Sequence, residues 1–186
     1  FGTASAAAAI SVKQWMQSTK QKGTIRFYGC PAEEGGGAKV YMAREGLFDD
    51  VDIALHWHPG SQNAASAAAA LANISAKFRF YGISAHAAGA PEKGRSALDG
   101  VEAMNAMVNM MREHVPQEAR IHYVITDGGK APNVVPDFAE VYYYSRHNSR
   151  EVVRSIFDRI VKAGEGAALG TGTTMDYELI NGVHEL

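Results

Sequence analysis

Two adjacent glutamates, Glu33 and Glu34, lie between a proline and three glycines in the segment PAEEGGG. Two histidines, His56 and His58, follow later in the chain, and a proline comes directly after the second. Carboxylate and imidazole groups are ordinary ligands of zinc and manganese. A catalytic metal site often also has a carboxylate that takes a proton from water, so the two glutamates could have different roles. The alternative is an exposed acidic turn beside histidines that pack, and the spacing leaves both interpretations open.

Three further side chains could bind a substrate. His86 lies among small residues in SAHAAGAP, where an imidazole can approach a ligand or simply pack. Asn133 follows a glycine-rich turn and lies between two prolines, so its amide either contacts a ligand or caps the turn. Arg146 ends the segment EVYYYSR, where it could hold a carboxylate by two parallel hydrogen bonds or be a surface arginine. The remaining histidines carry no spacing signal and are interpreted as structural: His114, His122, His147 and His184.

The first part of the chain predicts elements that could position the glutamates and the histidine pair. An alanine-rich helix is expected over residues 4–18, and a second helix over 37–48, closed by Gly46. Apolar, β-branched and aromatic residues predict strands at 23–30 and 51–57. This order is typical of a doubly wound α/β layer, in which ligands bind at the carboxyl ends of strands. The glutamates and histidines follow those strand ends.

The second part of the chain predicts a different architecture. Residues 60–71 are small and weakly patterned and are interpreted as a linker, which gives two domains, 1–70 and 71–186. After the linker the predicted order is β-α-β-β-α-β, the ferredoxin-like arrangement. A methionine-rich stripe on the first of these helices is interpreted as core. The predicted strands cover 72–83, 119–129, 137–147 and 172–180, and the helices cover 96–113 and 149–165.

Composition narrows the classes of function. The 186 residues are 46% hydrophobic and 20% charged, as in globular domains, and the net charge of −2 gives no basic surface for nucleic acid. No apolar run is long enough to span a membrane. The single cysteine, Cys30, fits a reducing compartment, so we expect a cytoplasmic protein. Because the chain begins with Phe1, we expect a processed product or a piece of a longer protein.

Four motifs in this order resemble the aminoacylase/carboxypeptidase-type metallopeptidases. They are PAEEGGG, a strand that ends in His-Pro, AHAAGAP, and APNVVPD followed by an arginine. The resemblance covers nearly the whole chain. It implies part of a doubly wound α/β metal-dependent catalytic domain (1–70) and a ferredoxin-like lid and dimerisation domain (71–186). The implied reaction is hydrolysis of an N-acyl or N-aroyl amino acid, such as p-aminobenzoyl-glutamate, with zinc or manganese at two positions per active site.

The resemblance also implies a role for individual residues. It makes Glu33 the general base and Glu34 a metal ligand. His58, directly before Pro59 and six residues after Asp52, is the second implied ligand, and His56 lies beside the ligands. His86 is implied to stabilise the oxyanion in the active site of a partner protomer. Asn133 and Arg146 are implied to hold the substrate, with Arg146 on its carboxylate.

The chain departs from the family pattern in its metal ligands. The family has further ligands upstream and a histidine ligand far downstream, so this chain would supply two ligands of a dinuclear site. We therefore expect the chain alone to be inactive, while the lid is complete and forms a homodimer, or an assembly with a second type of subunit. One alternative is a non-catalytic dimerisation or regulatory module of the same fold. Another is a protein that binds a small N-acyl amino acid without chemistry.

Overall fold

The computed structural model describes residues 2–65 and 69–185. Its internal contacts divide the chain into two compact units, Phe1–Ser66 and Ala67–Leu186, called here the first and second unit. The predicted linker has no helix or strand in its described part, and its residues 66–68 lie outside the described residues. The division into a partial catalytic domain (1–70) and a lid (71–186) stays a prediction.

The first unit contains two helices in its described residues, α1 (Gly2–Thr19) and α2 (Ala38–Arg44). The alanine-rich helix is confirmed, and the second helix is confirmed in a shorter form. Gly46 follows α2 with a φ of 74°, and its N–H donates to the carbonyl of Ala43. This left-handed conformation suits glycine and ends the helix near the predicted position.

The two strands predicted in the first unit are wrong. Residues 2–65 contain no strand, so the segments 23–30 and 51–57 have no regular secondary structure. A strand is stabilised by paired neighbours and by burial of one face, and neither is present for these segments. Their apolar side chains stay accessible to solvent: Ile25, Phe27, Ile53 and Leu55. The doubly wound layer therefore does not form among the described residues of this unit.

In its described residues, 69–185, the second unit is a four-stranded antiparallel sheet with two helices, and its order confirms the β-α-β-β-α-β prediction. The spatial order of the strands is β2-β3-β1-β4, as in a ferredoxin-like fold. Short 3-10 turns precede and follow the first helix of the unit. The elements are β1 (Ala72–Tyr81), α3 (Ala97–Met111), β2 (Arg120–Asp127), β3 (Phe138–His147), α4 (Arg150–Thr171) and β4 (Thr174–Val183).

The hydrophobic core lies between the helices and one face of this sheet. Ser96 and Ser149 begin α3 and α4 as N-caps, because each hydroxyl accepts a hydrogen bond from a backbone N–H of the first turn. The methionine-rich stripe of α3 is confirmed as core. Its buried members pack with residues of β1, β3 and α4: Val101, Met104, Val108, Met111, Phe78, Phe80, Val141 and Ile160.

The other face of the sheet is called here the open face, because it lies opposite the helices. Its centre carries Glu140, whose carboxylate accepts hydrogen bonds from Lys77 at 3.0 Å, Arg79 at 2.9 Å and Thr126 at 2.8 Å. Burial alone raises the pKa of Glu140, but these three donors outweigh it and lower the pKa. Arg79 also pairs with Glu178 on β4. The network therefore links all four strands.

Among the helices of residues 2–65 and 69–185, none has both the length and the apolar character needed to cross a bilayer.

Candidate functional site

The acidic segment forms a tight turn that exposes both glutamate side chains. The carbonyl of Ala32 accepts hydrogen bonds from Gly36 and Gly37, both at 2.8 Å. A Cβ at Gly36 would meet the Cβ of Ala32 at 2.8 Å, so this closure requires glycine. Because the backbone closes the turn by itself, the exposed carboxylates of Glu33 and Glu34 are not needed to hold it. They are accessible to a ligand.

The histidine pair lies in an exposed segment without regular structure. His58 Nδ1 is 2.9 Å from the carbonyl oxygen of Pro59. The neighbouring Trp57 donates from its indole N–H to the hydroxyl of Ser5 in α1, at 3.0 Å, which ties the segment to the helix. Within residues 2–65 and 69–185, no three potential ligands (His, Cys, Asp or Glu) lie close enough to hold a metal ion. The described residues thus do not form a complete metal site.

His86 and Asn133 are brought together at one end of the sheet. The loop after β1 and the loop before β3 pair through a bridge between His86 and Val134. The N–H of Ala87 donates to the carbonyl of Asn133 at 3.0 Å, and the N–H of Val135 donates to the carbonyl of Ala85 at 2.9 Å. Both predicted side chains are exposed. Two residues far apart in sequence therefore share one loop cluster.

The imidazole of His86 is held in one tautomer by its own loop. Its Nδ1 accepts hydrogen bonds from the backbone N–H groups of Ala88 at 3.2 Å and Gly89 at 3.0 Å. A backbone amide always donates, so Nδ1 must offer a lone pair. In the neutral ring the proton then resides on Nε2. The small residues of SAHAAGAP let these N–H groups approach Nδ1 and leave the imidazole of His86 exposed.

Arg146 lies at the other end of the sheet. It is exposed on the open face of β3, and its guanidinium carbon is 5.3 Å from the centre of the Tyr144 ring. It lies eight residues along β3 from Phe138, and at about 3.3 Å per residue this is about 26 Å. The loops of His86 and Asn133 flank the Phe138 end. Within the second unit, Arg146 is therefore distant from His86 and Asn133.

His122, which the sequence indicated as structural, is exposed on the open face opposite Tyr144. Together with Val124, Tyr142 and Tyr144 it lines a cavity of about 240 Å³, and Arg146 is the next residue after Tyr144 on this face of β3. Strand alternation could have identified it, since Ile121 is buried and neighbouring side chains point to opposite faces.

Comparison with known proteins shows which family the chain belongs to. A family model described as "Peptidase dimerisation domain" matches residues 58–169, which is more than half of the chain. The chain belongs to the peptidase dimerisation domain family. This confirms the resemblance given by the motifs.

Two curated relatives align with more than nine tenths of the chain. The chain is 53% identical over 177 residues to the B subunit of p-aminobenzoyl-glutamate hydrolase from Escherichia coli (strain K12), covering 95% of this chain and 37% of the relative. It is 30% identical over 174 residues to Xaa-Arg dipeptidase of Mus musculus, covering 92% of this chain and 40% of the relative. The chain thus spans about two fifths of the length of these relatives.

Solved structures share the fold. An aminobenzoyl-glutamate utilization protein from Klebsiella pneumoniae matches with a TM-score of 0.54 and 23% identity, over 62% of this chain and 29% of that one. An amidase of the hydantoinase/carbamoylase family from Burkholderia multivorans matches with a TM-score of 0.59 and 19% identity, over 63% and 29%. At these identities the likeness concerns the fold.

Proposed function

We propose that the whole protein is an amidohydrolase that cleaves an N-acyl or N-aroyl amino acid, such as p-aminobenzoyl-glutamate. The observation that carries this proposal is the 53% identity, over 95% of the chain, to a relative named as the B subunit of p-aminobenzoyl-glutamate hydrolase. A second relative is named as a dipeptidase, which also hydrolyses an amide bond.

In the proposed reaction Glu33 is the general base. Its exposed carboxylate takes a proton from water, and the water oxygen forms a bond to the amide carbonyl carbon. The C–N bond then breaks, and Glu33 returns the proton to the leaving nitrogen. The turn closed by Ala32 supports this role because it leaves the carboxylate accessible.

His86 would stabilise the negative oxygen formed during attack. With Nδ1 engaged by two backbone N–H groups, Nε2–H is free to donate towards that oxygen. Asn133, held in the paired loop, would bind the substrate beside it. Arg146, at the far end of the sheet, would hold the substrate carboxylate. A site shared by two protomers agrees with this separation, since the resemblance places His86 in the active site of a partner.

Metal remains a proposal for the whole protein. Peptidases of this family are generally metal-dependent. Glu34 and His58 would be the contribution of this chain to a site with two zinc or manganese ions. The described residues form no cluster of three potential ligands, so Glu34 and His58 by themselves do not complete such a site. Elemental analysis of the whole protein tests the identity and number of the ions.

The substitution Glu33→Gln tests the reaction directly. General-base catalysis typically contributes at least about a hundredfold to the rate, so we expect kcat for p-aminobenzoyl-glutamate to fall by about that factor in the whole protein. Glutamine keeps the size of the side chain and cannot accept the proton. A fall of less than about tenfold, with unchanged metal content, would overturn the assignment of Glu33.

A matched pair of substitutions tests the tautomer of His86. Glutamine places an amide N–H near the position of Nε2, whereas asparagine can replace Nδ1 as an acceptor but reaches no further. We expect His86→Gln to keep more of kcat than His86→Asn, while both fold. Nitrogen NMR shifts of the unmodified imidazole should show the proton on Nε2. Equal losses of kcat, or a proton on Nδ1, would contradict the proposed donor.

We also propose that the chain forms a homodimer through the edge strand β2 and helix α3. The dimerisation-domain match supports it, and β2 is an edge strand that would otherwise leave its outer backbone groups without sheet partners. Met107 and Met110 of α3 are exposed, and they line a groove of about 450 Å³ with residues of α4. The substitution Met110→Glu places a charge at this surface, so the sedimentation coefficient should fall towards that of the monomer. Unchanged sedimentation would exclude this surface.

A second candidate function is a non-catalytic dimerisation or regulatory module. The dimerisation-domain match and the lack of a three-ligand cluster in the described residues favour it for the isolated chain. Metal analysis and an amidase assay on the isolated chain separate the two functions.

A further relative is named as the A subunit of the same hydrolase, so mass analysis of the purified assembly also tests for a second type of subunit. The cytoplasmic location stays a prediction.

A further inference from the structure

The open face of the sheet carries an aromatic cavity between β2 and β3. Strand pairing places His122 opposite Tyr144 and Val124 opposite Tyr142, and these four side chains line a volume of about 240 Å³ with Tyr123. The two tyrosine rings Tyr142 and Tyr144 lie 5.2 Å apart, and a hydrogen bond of 3.2 Å joins their hydroxyls. The hydrogen bond fixes one ring relative to the other, which gives the cavity a defined wall.

This cavity differs from the rest of the open face. In the centre of the face, the polar groups of Lys77, Arg79 and Glu140 satisfy one another. The side chains that line the cavity are aromatic or apolar, and Val124 is 56% exposed, while the Lys77 ammonium lies 5.9 Å from the centre of the Tyr142 ring. Such a concave apolar surface with a few polar groups at its rim is typical of a ligand site. Ligand pockets usually have about 300–1,000 Å³, so this cavity suits one ring and not a whole ligand.

A positive charge lies at the rim of the cavity. Arg146 is the next residue on the same face of β3, and its guanidinium is 5.3 Å from the centre of the Tyr144 ring. Two residues along a strand are separated by about 6.6 Å. In an N-aroyl amino acid, the ring and the carboxylate are joined through the carbonyl, the amide nitrogen and the α-carbon. A molecule of this class can therefore place its ring in the cavity and its carboxylate on Arg146.

We propose that the cavity of His122, Val124, Tyr142 and Tyr144 is a subsite for the aromatic ring of an N-aroyl amino acid whose carboxylate binds Arg146. The proposal rests on the proposed function for the role of Arg146. It adds a basis for preferring aroyl over small acyl groups, since Tyr142 and Tyr144 line the cavity with aromatic surface.

Equilibrium binding of two probes to the whole protein tests this subsite without turnover. Benzoyl-glutamate and acetyl-glutamate carry the same carboxylates and differ in the ring. We expect benzoyl-glutamate to bind at least about fivefold more tightly than acetyl-glutamate, because contacts between aromatic rings contribute binding free energy beyond that of their buried area. Tyr144→Leu should remove most of this preference, so that the ratio of the two affinities falls towards one. Tyr81→Leu, at an exposed tyrosine on the same face outside the cavity, is the matched control.

A second variant tests the same subsite in case Tyr144→Leu does not fold. Val124→Trp fills the cavity from an exposed position and should also abolish the preference for benzoyl-glutamate. Equal affinities of the two probes for the unmodified protein, or a preference that survives both variants, would overturn the subsite. Arg146→Met should lower the affinity for both probes by the same factor. If no N-acyl amino acid is hydrolysed, the proposed function fails, while the ratio of the two affinities still decides the subsite.

Discussion

Phe27 in the first unit and Phe78 in the second unit belong to similar apolar, alternating segments, yet their environments are opposite. The side chain of Phe27 is 52% exposed, whereas that of Phe78 is fully buried. None of residues 2–65 is buried, and all described core residues lie in the second unit. The two segments differ in what surrounds them and not in their own pattern.

An alternating segment becomes a strand only where other strands pair with it. β1 pairs with β3 on one side and with β4 on the other, and helices cover its apolar face. The segments at 23–30 and 51–57 have no paired strand among the described residues. Without backbone pairing and a cover, β-propensity alone does not hold a strand.

The largest expected effect comes from emptying the core of the second unit. Phe78→Ala removes a ring that contacts the rings of Tyr143 and Tyr177, with centroids 5.7 and 5.5 Å away. We expect the free energy of unfolding to fall by about 3–5 kcal/mol, measured by urea denaturation. The control Phe27→Ala should change it by less than about 1 kcal/mol. Similar losses from both variants would show that Phe27 is packed as closely as Phe78.

Two helical glycines of the second unit should respond in opposite directions. A Cβ at Gly100 in α3 would lie 2.4 Å from Cδ1 of Phe80, so Gly100→Ala should destabilise by about 2 kcal/mol. At Gly166 in α4 the nearest atom is 3.9 Å away, so Gly166→Ala should stabilise by about 0.5–1 kcal/mol through helix propensity. Thermal denaturation of both variants measures these changes. A stabilising Gly100→Ala would show that the sheet and α3 are less closely packed.

The ion network of the open face should make the second unit sensitive to acid. The folded-state pKa of Glu140 is lowered, so its contribution is complete above the ordinary value of 4.5 and is lost as pH falls through the folded-state pKa. Glu140→Gln should lower the free energy of unfolding by about 1–3 kcal/mol at pH 7, and this loss should become smaller as the pH falls. Urea midpoints measured from pH 7 down to about pH 2.5 test this. Glu178→Gln, at a more exposed partner of Arg79, should cost less.

The smallest effect is expected in the first unit. Leu55 is 91% exposed, so Leu55→Ser should leave the free energy of unfolding of the isolated chain within about 0.5 kcal/mol. Amide hydrogen exchange of both units would show where any change occurs. A loss comparable to that of Phe78→Ala would mean that Leu55 is buried in solution.

Much of the second unit could be predicted from sequence because its signals agree with its packing. The alternation in β1 and the stripe Val101, Met104, Val108 each matched the face that is buried. The end of α4 was predicted too early, at residue 165, since the glycines after it lower helix propensity, while Ala167 and Ala168 are buried and keep the helix to Thr171. In residues 2–65 the strand signals were present, but no strand pairs with these segments.

The residue types of the candidate site followed from the sequence by itself: acidic and imidazole groups in the first unit, and His86, Asn133 and Arg146 in the second. Their motifs also gave the family, since the order of such segments is carried by the chain itself. Pairing between distant segments determines which of these residues lie close together. Loop pairing joins His86 to Asn133 and fixes its tautomer, while strand length separates Arg146 and places His122 beside it on the open face. Contacts across long separations in sequence depend on register and pairing, and local patterns do not encode these.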